Sequence, residues 1–349
     1  MQKQRRKLHD LPPDKRSIFA ISDIENTETT KIKYKVFRKG EDVMQEPKSF
    51  TASNETNTNR KGSSKMAEMI ALHRVAESRK PEDERICYDP YAVHFVDPEV
   101  LAFAASNPDK TKEMSEYYER LFPGLANSIR ARVRYFDDFV RTSIDEGLRQ
   151  LVILGAGYDT RAYRIEGLKG KVKVFEVDHP NTQSVKIEKV KEIFGFLPEC
   201  VMYVPVDFEI ENLGERLIVQ GFDRSLKTLF LMEGLVMYIP LEAVDETLSF
   251  IAKNSGKGSA VLFDYYPESV VDGTCKLEAG RNILDYTVQQ GEPLKFGIKE
   301  GMVEPFLAER GFSRVQNVTA EEYKKMYFHG VNKDRKVSNL LFFTHATIE

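Results

Sequence analysis

Between residues 150 and 263, five short apolar runs alternate with stretches whose apolar residues recur at helical spacing. The runs are Gln150–Leu154, Val172–Val177, Val201–Val206, Thr228–Met232 and Ala260–Phe263. Their near-continuous apolar character, without strict alternation, predicts strands buried on both faces. That is the pattern of a mostly parallel sheet covered by helices. Upstream, Met66, Met69, Ile70, Leu72, Val75 and Ala76 fall at near-helical spacing behind Ser63 and Ser64, which can cap a helix that Pro81 ends. Asp89-Pro90-Tyr91-Ala92 predicts a short helix with proline at its first position. Ser128 to Glu146 predicts a longer one, with Ile129, Val133, Phe136, Val140 and Ile144 on one side and Gly147 closing it. Downstream, Met302 to Arg310 reads as a helix ending at Gly311. Phe312–Val318 and Leu340–Ile348 then read as two strands joined by a polar loop without a helix, able to pair antiparallel at a sheet edge.

Residues 1–62 lack this periodicity and are rich in Lys, Arg, Glu, Asn and Thr, which predicts a largely disordered N-terminal tail before one α/β domain over 63–349. Lys31 to Arg38 alternates enough for one short strand, and Ile18–Ile21 is too short for a signal-peptide core. Lys plus Arg number 51 against 54 Asp plus Glu, a net charge of -3, so no global basic field invites nucleic acid. Cys87, Cys200 and Cys275 lie far apart, which supports neither a disulfide framework nor a zinc cage and fits a reducing, cytoplasmic compartment. The best membrane candidate, Leu229 to Ile239, is short and interrupted by Glu233, so no membrane association is expected. No His, Cys or carboxylate cluster has metal-ligand spacing.

The sharpest chemical signal is Leu151-Val152-Ile153-Leu154 running into Gly155-Ala156-Gly157-Tyr158-Asp159-Thr160-Arg161. Glycines there let the backbone turn tightly and approach a ligand without a Cβ in the way. About twenty residues on, the second run ends at Glu176 and Asp178, a spacing that sets a carboxylate where ribose hydroxyls can donate to it. A nucleoside follows. A dinucleotide fingerprint wants a third glycine where Thr160 stands, and no Gly-Lys-Ser/Thr follows for a nucleoside triphosphate. S-adenosylmethionine, with ribose and adenine but an amino-acid tail in place of phosphates, fits better.

Several segments together resemble the leucine carboxyl methyltransferase superfamily, closest in its branch of microbial S-adenosylmethionine-dependent methyltransferases. They are Met66–Ser78 with Asp89-Pro90-Tyr91-Ala92, Ala131-Arg132-Val133, Val152–Arg164, Val174–Pro180, Pro205-Val206-Asp207-Phe208 and Met232–Tyr238. The resemblance implies a Rossmann-like class I methyltransferase fold: a mostly parallel seven-stranded sheet with helices on both faces, extra N-terminal helices and a lid segment. It implies that Arg132 pairs with the cofactor carboxylate, that Gly155 and Gly157 face its methionine moiety and that Asp178 binds ribose. Asp207 and Phe208 would grip adenine, and Glu233 would meet the ammonium. Arg130 and Arg134 are rivals of Arg132. Asp159 and Arg161 read as a local ion pair shaping the loop.

The expected reaction is transfer of the sulfonium methyl to a carboxylate or hydroxyl of a small molecule, or to a protein C-terminal carboxyl. Helices before the first strand and the Glu268–Phe296 segment would cover the substrate. A hydroxyl acceptor needs a base, for which Tyr238, Tyr265, Tyr266 and His329 are candidates, and His179 and His329 are candidate substrate contacts. A different class of reading keeps the same residues but no turnover: a protein that holds S-adenosylmethionine or S-adenosylhomocysteine as an interaction module. A nicotinamide oxidoreductase is opposed by the missing third glycine and by Glu233.

Overall fold

A computed structural model describes residues 63–349 except 209. The tail at 1–62 and the strand expected at Lys31–Arg38 lie outside the described residues. The chain divides into Met1–Asn59 and Arg60–Glu349, and all described residues fall in the second unit.

Among the described residues, four α-helices precede the sheet: α1 (Lys65–Ser78), α2 (Pro98–Ser106), α3 (Pro108–Leu121) and α4 (Leu125–Asp145). Ser64 caps α1, its hydroxyl accepting from the Ala67 N–H at 3.0 Å. Asp89 does not open an α-helix. Its Oδ1 accepts from the N–H groups of Tyr91 and Ala92 at 3.0 and 3.1 Å, an Asx-type turn that leads into a 3-10 helix over Ala92–Phe95. Helices α2 and α3 escaped the sequence reading because neither has a fully buried residue; Val100 and Leu101 of α2 pack against the core only partly buried.

The alternating half follows: β1 (Gln150–Leu154), α5 (Arg161–Arg164), β2 (Lys173–Asp178), α6 (Pro180–Phe194), β3 (Val201–Pro205), α7 (Leu213–Val219), β4 (Thr228–Met232), α8 (Leu241–Lys253) and β5 (Ala260–Tyr265). The chain finishes with α9 (Glu268–Val271), α10 (Glu278–Gln289), α11 (Val303–Ala308), β6 (Ser313–Val318), α12 (Ala320–Tyr327) and β7 (Phe342–Thr347). The seven strands lie in the order β3-β2-β1-β4-β5-β7-β6. The first five are parallel and β7 runs antiparallel to both β5 and β6.

The link between the last two strands is a correction: α12 occupies it. Thr319 and Glu322 form a reciprocal capping box at its start. The helix is eight residues long and half charged, with Tyr323 as its large buried anchor, so it is too short for an apolar period to register.

Leu151 and Ile153 belong to the core on one face of the sheet, and Val152 and Leu154 to the core on the other. Burying both parities is what makes β1 apolar throughout. Strand order reverses at β1, which has β2 on one side and β4 on the other. In open α/β sheets ligands bind outside the carboxyl ends of the strands at such a switch point. Among the described residues, no helix is long and apolar enough to cross a membrane.

Candidate active site

The carboxyl ends of β1, β2 and β4 open into a cavity of about 930 Å³, which α1, α3, α4 and α10 also line. Gly155, Gly157, Asp178, Glu233 and Arg132 all lie on its wall. Gly155 and Gly157 have φ of 64° and 43°, in the left-handed region that favours glycine. A Cβ on Gly155 would come within 2.9 Å of Leu235 Cδ1, and one on Gly157 within 3.2 Å of Ala67 Cβ. The turn is therefore held tightly between the loop after β4 and the first turn of α1.

Asp178 closes the turn from β2. One carboxylate oxygen accepts from the Gly157 N–H and the other from the His179 N–H at 2.6 Å. Ala156 N–H donates to the Val177 carbonyl at 2.9 Å, which ties the same loop to β2. Glu176 takes no part: it is fully buried beside Lys186 Nζ at 2.8 Å, and burial raises its carboxyl pKa above the ordinary value.

Arg132 is buried on α4, and its guanidinium is already engaged. Nε donates to Glu233 at 3.1 Å and Nη1 to Asp264 at 2.6 Å. Nη2 makes no hydrogen bond among the described residues. The second Glu233 oxygen lies 2.7 Å from Arg161, which also engages Asp137 at 2.7 Å and Asp159. Arg164 holds Asp137 at 2.6 Å, and Asp89 takes Arg74 at 3.1 Å and the Thr160 hydroxyl at 2.7 Å. Among the described residues, five carboxylates thus meet four guanidiniums at and behind the cavity wall. Burial pushes the Asp159 carboxyl up, but Arg161 outweighs it and holds the group down at about 2. Asp264 goes the other way, since burial outweighs Arg132 and raises its pKa.

Asp159 with Arg161 is thus a buried loop-shaping pair, as expected, inside a larger network that local spacing could not show. The rivals of Arg132 have other partners. Arg134 pairs with Asp138 on the outer side of α4, and Arg130 holds Glu77 of α1 at 3.0 Å.

The remaining expected residues divide. Asp207 and Phe208 follow β3 but lie outside the cavity wall: the Asp207 N–H donates to Glu211 at 2.9 Å and Phe208 packs toward the core. Among the candidate bases, Tyr238 and Tyr266 line the cavity, and burial raises both phenol pKa values well above the ordinary one. At neutral pH they are donors rather than bases. Tyr265 is not in the cavity; it packs in the core of the opposite face, and its hydroxyl donates to Asn317 at 3.1 Å. His329 is exposed beyond α12 against the Met326 carbonyl at 3.0 Å, also away from the cavity. His179 caps α6, its Nδ1 accepting from the Asn181 N–H at 3.2 Å.

Three participants were missed. Asp264 is an acidic residue near the end of the otherwise apolar β5, much as Glu233 directly follows the apolar β4, so the same signal marked it. His73 lines the cavity from α1, hidden in the sequence among its apolar neighbours. Glu292 lines it from the segment after α10 and accepts from the Ser64 hydroxyl and from the Lys65 and Met66 N–H groups, at 3.0 to 3.2 Å. The Glu268–Phe296 segment, through Ile283, Tyr286, Thr287 and Glu292, does form part of the wall. Among the described residues, no group of three His, Cys, Asp or Glu side chains is placed to hold a metal ion.

Residues 67–252 match the leucine carboxyl methyltransferase family, a span that covers more than half of the chain and contains the whole glycine turn, Asp178 and Glu233. The chain belongs to that family. A Bacillus subtilis (strain 168) protein named "Putative S-adenosyl-L-methionine-dependent methyltransferase YktD" is 27% identical over 216 residues, 62% of this chain and 71% of that one. A Mycobacterium marinum protein named "Putative S-adenosyl-L-methionine-dependent methyltransferase" is 39% identical over 145 residues, 41% of this chain and 47% of that one. This leucine carboxyl methyltransferase relative shares its fold with two crystal structures. One, of a "putative methyltransferase" from Thermobifida fusca YX, has a TM-score of 0.51 at 14% identity and covers 69% of this chain and 89% of that one. The other, a DUF574 family protein from Streptomyces avermitilis, has a TM-score of 0.53 at 15% identity, covering 82% and 98%.

Proposed function

We propose that this family member is an S-adenosylmethionine-dependent O-methyltransferase acting on a carboxylate or hydroxyl of a small molecule. The observation that carries the reading is the meeting of Gly155, Gly157, Asp178, Arg132 and Glu233 on one cavity wall at the β1 switch point. The residues suit the cofactor. Asp178 is fixed by two backbone N–H groups and faces the cavity, where ribose hydroxyls can donate to it. The surplus of carboxylates over guanidiniums around Glu233 suits an ammonium and a sulfonium, and Arg132 Nη2 remains for a carboxylate.

When bound, S-adenosylmethionine supplies a methyl group on a good leaving group, so this chain's work is alignment and exclusion of water. Arg132 and Glu233 orient the amino-acid tail. Asp178 and the glycine turn fix the ribose. Helices α1 and α10, joined through Glu292, close over them. A carboxylate acceptor is ionised at neutral pH and needs no base, which accords with the neutral phenols of Tyr238 and Tyr266.

The test is incubation with methyl-labelled S-adenosylmethionine, excess chelator and a panel of carboxylic acids and phenols. Label in an alkali-labile methyl ester, or in a stable aryl ether, supports the reading. A product methylated on nitrogen or carbon, or activity abolished by chelator, contradicts it.

A further inference from the structure

The cavity extends well past the glycine turn, and its far part differs in character. Tyr118 of α3, Phe122 beyond it and Tyr286 of α10 form an aromatic cluster there, with ring centroids 5.4 to 6.2 Å apart. The Tyr286 hydroxyl donates to Met69 Sδ of α1 at 3.9 Å. These four side chains line the same cavity as Gly155 and Asp178, yet they come from helices that supply none of the strand-end residues. An aromatic and thioether wall suits an apolar group better than the carboxylate of a zwitterionic amino-acid tail. Ligand sites of this size are built as an apolar body pocket with a few placed polar groups.

One such polar group stands on α1, one turn beyond Met69. His73 lines the cavity, and its ring makes no hydrogen bond among the described residues. Burial and the neighbouring guanidiniums of Arg130 and Arg132 push its pKa down to about 3. The imidazole is therefore neutral, with one N–H to donate beside the guanidiniums of Arg130 and Arg132. That combination favours an anionic oxygen over a cation or a bare hydrocarbon end.

Resting on the methyltransferase reading above, we infer that the acceptor is a carboxylic acid with an extended apolar body, the body lying against Met69, Tyr118, Phe122 and Tyr286 and the carboxylate held by His73. In the reaction a carboxylate lone pair forms the bond to the methyl carbon while the carbon–sulfur bond breaks, its electron pair going to sulfur. The products are a neutral methyl ester and a neutral thioether, and no proton is released. His73 acts as a positioning residue that holds the oxygen and takes no proton.

The test separates the two readings. Calorimetric titration with S-adenosylhomocysteine comes first, and absence of binding there removes the methyltransferase reading itself. With S-adenosylhomocysteine bound, straight-chain acids from four to twelve carbons are then titrated. Affinity should rise about fourfold per added methylene until the pocket is filled, the increment expected for burying a methylene group. Tyr286→Ala should flatten that rise. His73→Leu should weaken a long acid about tenfold while leaving its methyl ester unchanged, and in turnover should raise KM for the acid more than it lowers kcat. In both variants unchanged S-adenosylhomocysteine affinity reports an intact fold. Chain-length-independent binding, or preference for short polar acids, overturns the inference while sparing the cofactor site. Wild-type acid affinity in His73→Leu overturns the assignment of the head group.

Discussion

Asp178, at the end of the second strand, accepts the N–H of Gly157 in the turn after the first. The bond crosses two parallel strands and puts one carboxylate in two roles, holding the glycine turn and facing the cavity. Asp178→Asn keeps an acceptor for the Gly157 N–H but loses the charge. It should therefore keep the fold, with a melting temperature near wild type, while losing cofactor affinity about tenfold, the scale of one charge-assisted hydrogen bond. Equal losses of stability and affinity would indicate a purely structural carboxylate.

Arg161 is 1% exposed and pairs with Asp137, Asp159 and Glu233 together. Arg161→Met leaves those carboxylates buried without their shared partner, which should cost about 3–5 kcal/mol. Urea unfolding followed by circular dichroism measures it. A loss below about 1 kcal/mol would show that the network relaxes around the missing charge.

His73 is held neutral down to about pH 3, whereas in the unfolded chain it titrates near 6.5. Below about 6.5 the unfolded state therefore binds a proton that the folded state refuses, and stability falls as pH drops from 6.5 toward 3. His73→Asn removes that term. In this window the variant's stability should fall less steeply than wild type, and at pH 7.5 the two should not differ on this account. Asp159 contributes lower down, because its depressed pKa lends stability above about 3.8 that is lost as pH falls through about 2. Urea midpoints between pH 3.5 and 8 test the histidine prediction, and parallel curves would refute it.

Glu292 accepts from the first N–H groups of α1, a carboxylate where the helix dipole is positive. Glu292→Ala should raise amide exchange at Lys65 and Met66 about fivefold, the equivalent of about 1 kcal/mol for a lost cap. Exchange in β1 should not change. Unaltered exchange at α1 would mean that Ser64 alone holds the helix start.

The parallel half of the sheet was legible because burial of β1, β2, β4 and β5 on both faces leaves near-continuous apolar runs. The wall proposed to hold the cofactor was legible for a related reason: Gly155 and Gly157 break one such run, and Asp178 and Glu233 put charge at the ends of two others. What stayed hidden depends on distant partners. Arg132 is 101 residues from Glu233 and 132 from Asp264, so no local spacing shows that it arrives already paired. Tyr265 and Tyr266 are adjacent in sequence, and only the pleat decides that Tyr266 lines the cavity while Tyr265 packs on the other face. α12 stayed hidden because it is only eight residues long and half charged, with one tyrosine as its large buried anchor.

If the wall built from Gly155, Gly157, Asp178, Arg132 and Glu233 holds S-adenosylmethionine, calorimetric titration will show it. Wild type should bind S-adenosylmethionine and S-adenosylhomocysteine with one site per chain and show no heat with NAD. Glu233→Gln, which removes one charge beside Arg132 and Arg161, should bind S-adenosylmethionine about tenfold or more weakly. NAD binding in place of S-adenosylmethionine, or wild-type affinity in both Glu233→Gln and Asp178→Ala, would contradict the account.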